Sequence, residues 1–168
     1  MASKKVMLLG EIGVGKTSLV NRFVSGRFRT DYMPTINVEI YTHNLPETDI
    51  RPALTLLIWD TDGNFGETIF SSVYLKNAAA ALIVADATRP ATLLAMTSLS
   101  NGWRAAMPGR PYRLLLNKSD LFSPDQPIDL PAGHEKHHDR PLRTSAKSGD
   151  NVELAFHSVA DGIIRRGL

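Results

Sequence analysis

The most constraining feature of the chain is a glycine-rich segment near its start. Residues 10–17 read Gly-Glu-Ile-Gly-Val-Gly-Lys-Thr and directly follow the apolar run 6–9. This fits the pattern Gly-x-x-x-x-Gly-Lys-Ser/Thr, a phosphate-binding loop between a strand and a helix. Glycines let backbone N–H groups point at phosphate oxygens, and the start of the helix adds partial positive charge. The segment predicts a nucleoside triphosphate site in which Lys16 neutralises the β- and γ-phosphates and Thr17 ligates Mg²⁺.

The length and composition predict one α/β domain. A chain of 168 residues can bury roughly 70% of the surface that its unfolded form exposes. The sequence contains no cysteine, which excludes disulfide bonds, thiolate chemistry and a cysteine-linked lipid anchor in this chain. The run 6–9 is too short for a signal peptide or a membrane span, so we expect a cytoplasmic protein. A formal net charge of +2 without a basic block does not indicate a nucleic-acid partner.

Strand and helix patterns alternate along the chain. Apolar runs and alternation predict strands at 4–9, 37–45, 53–59, 78–85, 113–116 and 141–145. Helical spacing predicts helices from residue 16 to Gly26, over 91–107, and from residue 152 onward. This order predicts an α/β fold with a doubly wound, mostly parallel sheet, one antiparallel edge strand and helices on both faces. Ligands of such sheets bind at the carboxyl ends of the strands.

Two helix details are also predicted. In the helix over 91–107, the pattern places Leu94, Ala95, Leu99 and Trp103 on the inner face. At the start of the last helix, Asp150 and Glu153 have the spacing of a capping box.

The ends of the last two strands carry motifs that favour guanine. Residues 117–120 read Asn-Lys-Ser-Asp, and an aspartate there can accept hydrogen bonds from the N1–H and the 2-amino group of guanine. Adenine has an acceptor at N1 and no 2-amino group, so it would lose binding. Residues 144–147 read Thr-Ser-Ala-Lys, where a backbone N–H can meet the guanine O6. Each tetrapeptide alone is typical of an ordinary turn; both together, downstream of a phosphate-binding loop, favour a guanine site.

With these motifs the chain resembles a Ras-like small GTPase, nearest to the Rab and Rho branches. The resemblance spans essentially the whole chain and implies GTP and GDP as ligands, Mg²⁺ as the cofactor, and effector and regulatory proteins as partners. It implies a single G-domain, with these bounds: domain 1–168, P-loop 10–17, switch I about 27–38, switch II about 60–72, and guanine-specificity loops 117–120 and 144–147.

The resemblance also implies a role for individual residues. Thr35, in the segment 32–36 that begins with Tyr32, would ligate Mg²⁺ and sense the γ-phosphate. Asp60 would hold Mg²⁺ through water, and Gly63 would donate its N–H to the γ-phosphate. The residues implied in hydrolysis are Lys16, Thr35, Gly63 and Asn64. The residues implied in nucleotide binding are Glu11, Ile12, Gly13, Val14, Gly15, Lys16, Thr17, Ser18, Phe28, Asn117, Lys118, Asp120, Ser145, Ala146 and Lys147. For Phe28, a place in the core at the helix end is nearly as good an interpretation.

Three departures from the family pattern predict slow hydrolysis. Switch II usually reads Asp-Thr-Ala-Gly-Gln-Glu, whereas residues 60–65 read Asp-Thr-Asp-Gly-Asn-Phe. Asn64 is one methylene shorter than glutamine, so its amide should fall about 1.5 Å short of the attacking water. Asp62 adds negative charge beside the γ-phosphate, and the β-branched Ile12 crowds the water and a partner's arginine. The alternative is that Asp62 and Asn64 point at solvent and other groups position the water.

Three functions remain open at this point. The first is a guanine-nucleotide switch that an effector reads and that an exchange factor and an activating protein control. The second is a nucleotide-bound regulatory or scaffold module that hardly cycles. The third is a P-loop kinase or ATPase, which the 117–120 motif disfavours.

A histidine-bearing stretch before the last strand raises the question of a metal site. His134 and His138 have the i, i+4 spacing of a zinc pair, and His137 lies between them. No cysteine and no evident third ligand accompany them. A solvated loop or a short polar helix is the better interpretation of this stretch.

Overall fold

The structure is a computed structural model that describes residues 2–31, 33–134 and 140–168. Within these residues six strands and three α-helices follow one another. The strands are β1 (Ala2–Leu9), β2 (Val38–Leu45), β3 (Leu54–Thr61), β4 (Ala78–Asp86), β5 (Tyr112–Asn117) and β6 (Leu142–Arg143). The α-helices are α1 (Lys16–Ser25), α2 (Pro90–Ala106) and α3 (Val152–Arg165).

The strands form one sheet in the order β2-β3-β1-β4-β5-β6. Every neighbouring pair is parallel except β2 and β3, so the predicted antiparallel edge strand is β2. Each residue of β4 is buried, as its continuous apolar sequence requires for a strand covered on both faces. Because five strands are parallel, the loops after β1, β3, β5 and β6 all leave the same edge of the sheet. This edge carries the phosphate-binding, switch and guanine motifs that the sequence singled out.

Helices cover both faces of the sheet, as predicted. On one face α1 and α3 pack together, and the rings of Phe23 and Phe156 stack with centroids 4.1 Å apart. On the other face α2 packs beside a 3₁₀ segment, Gly63–Ser71, and the side chain of Trp103 is fully buried there. The phosphate-binding loop therefore lies between β1 and a helix that is anchored in the core.

The predicted inner face of α2 is wrong for Leu94. Its side chain is 64% exposed, whereas the adjacent Leu93 is buried with Met96. The sequence offers two neighbouring leucines, and only one can face the sheet. Residues three apart share a helix face, and Leu93 lies three residues before the buried Met96. Leu93 is therefore the leucine that faces the sheet.

The predicted capping box at α3 does not form. The residue before the helix is Asn151, in a left-handed conformation with φ 56°, and no side chain caps the first turn. The N–H of Val152 instead bonds the carbonyl of Gly149, so a backbone turn starts the helix. Glu153 lies 3.4 Å from the ring of His157 on the same helix.

Most strand ends differ from the prediction by one or two residues, and the differences at β3 and β6 affect the site. β3 continues through Asp60 and Thr61, because the hydroxyl of Thr61 bonds the carbonyl of Leu8 and keeps this end paired with β1. β6 contains only Leu142 and Arg143, much less than the predicted 141–145. Asp60 is thus held by the sheet instead of by a loop.

The histidine-bearing stretch is not a solvated loop at His134. This side chain is buried against α2, and its Nε2 lies 2.8 Å from the hydroxyl of Thr97. His137 and His138 lie outside the described residues, so the spacing of the possible zinc pair stays a sequence observation. In the described part of the chain, no helix combines the length and the apolar character that a membrane span needs.

Candidate functional site

The glycine-rich loop folds around the amino group of Lys16. The Nζ of Lys16 donates to the carbonyl oxygens of Gly10 (2.8 Å) and Glu11 (3.0 Å), and the side chain is almost fully buried. Burial lowers the pKa of Lys16 to about 8, although nearby carboxylates act in the opposite direction. Gly15 has φ 99°, and a Cβ there would lie 2.2 Å from the Nδ2 of Asn117, so only glycine fits. A buried cation therefore sits beneath a loop whose shape requires glycine.

Three oxygen-bearing side chains from separate segments meet beside this loop. The hydroxyl of Thr17, at the start of α1, bonds the Oδ2 of Asp60 and lies 2.7 Å from the hydroxyl of Thr35. The hydroxyl of Thr35 also lies 3.3 Å from the same carboxylate oxygen. The structure thus brings together the three residues expected at a metal, which lie far apart in the sequence.

The carboxylate of Asp60 is suited to a cation. It is fully buried, and its Oδ1 has no hydrogen-bond partner among the described residues. Burial raises the pKa of Asp60, although the hydrogen bond from Thr17 and the positive charge of Lys16 both act to lower it. An unpaired buried oxygen is costly unless something compensates it, and an all-oxygen set suits Mg²⁺. The residues present therefore fit the magnesium ion that the sequence resemblance implied.

The segment after β3 begins in direct contact with the phosphate-binding loop. A Cβ on Gly63 would lie 2.3 Å from the backbone nitrogen of Ile12, so glycine is required for this approach. Asp62 caps the following 3₁₀ segment, because its carboxylate accepts from the N–H of Asn64 at 2.9 Å. The N–H of Asp62 donates to the carbonyl of Asn37 at 2.8 Å. The regions implied as switch I and switch II are therefore joined at Asp62.

An open cavity of about 580 Å³ lies between the loop, the 3₁₀ segment and α2. Ile12, Gly63 and Asn64 line it, and Asn64 is exposed. Arg89 also lines it, and its Nη1 donates to the carbonyl of Ile12 at 2.8 Å. Its Nη2 lies 3.8 Å from the carboxylate of Glu11. Sequence reasoning missed Arg89, because no motif marks an arginine that follows β4 as a partner of the phosphate-binding loop.

Asn117 connects the phosphate-binding loop to the loop after β6. Its Nδ2 donates to the carbonyl of Val14 at 2.9 Å. Its Oδ1 accepts from the N–H of Ala146 at 3.2 Å and the hydroxyl of Thr144 at 3.3 Å. The 117–120 and 144–147 loops are thus adjacent, as a shared base site requires.

The other polar residues of these loops are also paired. The hydroxyl of Ser145 donates to the Oδ1 of Asp120 at 2.6 Å and accepts from the N–H of Ser148 at 3.0 Å. The Nζ of Lys118 lies 2.7 Å from the Oδ2 of the buried Asp86. Burial alone would raise the pKa of Asp86, but hydrogen bonds from Lys118 and Thr88 outweigh it and lower that pKa. The pairing with Asp86 was not predicted, since nothing in the sequence marks it.

The remaining site candidates lie around the same edge. Phe28 is 37% exposed and belongs to neither core cluster, which argues against its interpretation as a core residue. Ser18 is half-buried in the first turn of α1, and Lys147 is exposed. Tyr32, within the segment that carries Thr35, lies outside the described residues.

This fold and this edge define a P-loop nucleotide-binding protein. The model of the Ras family matches residues 5–165, which is nearly the whole chain. The chain therefore belongs to the Ras family.

Three similar proteins carry Rab-type or GTP-binding names. The Ras-related protein Rab5A of Oryza sativa subsp. japonica is 31% identical over 169 residues, covering 96% of this chain and 80% of the relative. The Ras-related protein RABA1c of Arabidopsis thaliana is 35% identical over 158 residues, covering 92% and 72% respectively. The GTP-binding protein ypt5 of Schizosaccharomyces pombe is 33% identical over 162 residues, covering 94% and 76%.

The family membership confirms the broad functional expectation. The protein is a small GTPase that binds GTP and GDP and acts as a switch with regulators and effectors. The expectation placed the chain near the Rab and Rho branches, and two of the relatives named above carry Rab-type names. Membership in this family favours the guanine-nucleotide switch over the P-loop kinase or ATPase.

Proposed function

We propose that this protein is a magnesium-dependent guanine-nucleotide switch whose intrinsic GTP hydrolysis is slow. The observation that carries the proposal is the meeting of Thr17 and Thr35 at the buried carboxylate of Asp60. Thr17 comes from the phosphate-binding loop, Thr35 from the irregular segment before β2, and Asp60 from the end of β3. A triphosphate with a divalent cation would hold all three segments, and loss of the γ-phosphate would release the one with Thr35.

The proposed organisation is one G-domain over residues 1–168. Residues 10–17 bind the phosphates, with switch I at about 27–38 and switch II at about 60–72. The loops 117–120 and 144–147 bind guanine, with Asp120 on the N1–H and 2-amino edge. The nucleotide that copurifies with the protein tests this assignment: guanine nucleotide supports it, and adenine nucleotide contradicts it.

Separate residues are proposed to bind the phosphates, the magnesium ion and the γ-phosphate. Lys16 and the loop amides neutralise and orient the β- and γ-phosphates. The hydroxyls of Thr17 and Thr35 would hold magnesium, with Asp60 binding it through water. Bound magnesium supplies positive charge against the phosphate oxygens. The N–H of Gly63 is proposed to donate to the γ-phosphate.

Removal of magnesium tests the metal site. We expect chelation by EDTA to speed GDP release by at least about tenfold, or about 1.4 kcal/mol, because Asp60 and the phosphates then face each other without a cation. Release is followed with a fluorescent GDP analogue. The variant Asp60→Ala should lose this dependence, while Asp49→Ala, in the exposed β2–β3 turn, should keep it. Equal release rates with and without magnesium would refute this part of the proposal.

Slow hydrolysis is supported by the surroundings of Asn64. Asp62 holds the backbone N–H of Asn64, which limits how far the short side chain can move toward an attacking water. The carboxylate of Asp62 acts on Lys16, so its negative charge is felt at the phosphate end of the site. Ile12 lines the same cavity as Asn64 and occupies space beside it.

The hydrolysis rate is the direct test. In a single-turnover assay we expect GTP hydrolysis at or below about 10⁻⁴ s⁻¹, the scale of family members without an activating protein. Asn64→Gln should raise the rate, because the longer amide reaches the water. Glu67→Gln is the matched control, since it changes another exposed residue of the same cavity and should leave the rate unaltered. A wild-type rate well above this scale would contradict the interpretation of Asn64 and Asp62.

A nucleotide-bound regulatory module that hardly cycles is the second candidate. Two observations favour it: Asp62 caps the first turn of Gly63–Ser71, and Ile69, beyond a kink at Gly66, is buried in the core. Amide hydrogen exchange of this segment separates the candidates. Different protection with GDP and with a non-hydrolysable GTP analogue supports a switch, whereas equal protection supports the static module.

A further inference from the structure

Arg22, in α1, reaches three backbone carbonyls at once. Its Nε donates to the carbonyl of Ala146 at 2.7 Å, and its Nη2 donates to the carbonyl of Lys147. Its Nη1 donates to the carbonyl of Gly26 at 2.9 Å, which closes the C-terminal end of α1. The rigid fork of a guanidinium can make all three bonds together, and an ammonium cannot reproduce that geometry.

These contacts determine which way the peptide that joins Ala146 to Lys147 points. No peptide bond in the described residues is cis, and in a trans peptide the C=O and the following N–H point in opposite directions. Because Arg22 holds the carbonyl of Ala146, the N–H of Lys147 is directed away from Arg22. The carbonyl of Ser145 is held in the same way by the N–H of Gly149 at 2.8 Å. The N–H of Ala146 is thereby aimed at the side where Asn117 lies, 3.2 Å from its Oδ1.

We propose that Arg22 is a positioning residue for guanine: through the carbonyl of Ala146 it holds the N–H of Lys147 where the 6-oxo group of the base binds. This inference rests on the guanine site proposed above and adds a residue to it. Arg22 touches neither the base nor the phosphates; it acts through the loop. It also joins the two halves of the site, since α1 begins at Lys16 and carries Arg22 near its other end.

Nucleotide release measures the effect of Arg22. We expect Arg22→Ala to release GDP roughly tenfold faster or more, because two charge-assisted hydrogen bonds to the loop are lost. Arg22→Lys should recover only part of the loss. Arg166→Ala is the matched control, since Arg166 is exposed and its Nη1 donates to the carbonyl of Gly109, outside the site. It should release GDP within about twofold of wild type.

A second ligand distinguishes positioning from simple support of α1. In 6-thio-GDP, sulfur replaces the 6-oxo group and accepts hydrogen bonds weakly, while N1–H and the 2-amino group remain. Wild type should release 6-thio-GDP faster than GDP, and Arg22→Ala should reduce this difference, because the N–H of Lys147 is no longer held in place. If the substitution speeds release of both nucleotides by the same factor, Arg22 only supports the helix and the proposal is wrong.

The outcomes separate this inference from the proposed function. If the wild-type protein does not bind GDP more tightly than ADP, the proposed guanine site itself is wrong. Wild type that prefers GDP, together with Arg22→Ala that releases it at the wild-type rate, would overturn only the role of Arg22. If Arg22→Ala does not fold, Arg22→Lys is used instead, because lysine keeps the positive charge but lacks the planar guanidinium. The inference is refuted if Arg22→Lys releases GDP at the wild-type rate and discriminates against 6-thio-GDP as wild type does.

Discussion

Asp120→Asn will change the base preference of the protein from guanine to xanthine. The hydroxyl of Ser145 donates to the Oδ1 of Asp120 and is itself held by the N–H of Ser148. In the variant, the amide oxygen should therefore take the Oδ1 position and the NH₂ group should face the base. A donor then meets the 2-amino group of guanine, which is unfavourable, whereas it can bond the 2-oxo group of xanthine.

The expected change in nucleotide preference is large, because the substitution alters the group that accepts the hydrogen bonds from the N1–H and the 2-amino group of guanine. We expect GTP affinity to fall at least about a hundredfold, or about 2.7 kcal/mol, and xanthosine triphosphate affinity to rise. Competition against a fluorescent nucleotide measures both. Asp125→Asn makes the same substitution at an exposed position of the following loop and should leave both affinities unchanged. An unaltered preference in Asp120→Asn would remove this residue from the base site.

Lys16→Met will abolish tight triphosphate binding. The Nζ of Lys16 is the buried cation beneath the loop, and its removal leaves the carbonyls of Gly10 and Glu11 without their donor. Methionine fills a similar volume but brings neither charge nor a hydrogen bond to phosphate. We expect GTP affinity to fall by roughly a hundredfold or more, because charge-assisted bonds to the phosphates are lost.

Calorimetric titration with GTP and magnesium checks the loss. Lys76→Met is the matched control, because Lys76 is exposed and lies on the loop before β4, away from the phosphate-binding loop. Thermal unfolding without nucleotide shows whether Lys16→Met still folds. A folded Lys16→Met protein that binds GTP as wild type does would show that the loop does not hold the phosphates.

The phosphate end of the site was largely predictable from sequence. Residues 10–17 form a local motif whose three glycines all have positive φ, so the pattern alone indicates the loop and Lys16. The position of Thr35 beside Asp60 followed from the family resemblance, and the structure brings the two together. The details of helices were less predictable: Leu93 and Leu94 are equally apolar, and only packing against the sheet decides which one is buried.

The sequence by itself determined the succession of strands and helices along the chain, the mostly parallel sheet with one antiparallel edge strand, and the loops that carry the motifs, because hydrophobic periodicity and glycine-rich signatures are local properties of the chain. Only the tertiary structure decided that Arg22 supports the 144–147 loop and that Arg89 bonds the carbonyl of Ile12. These contacts join residues 124 and 77 positions apart. Their acceptors are backbone carbonyls, which every residue carries, so no side-chain pattern could have identified the partners before the chain was folded.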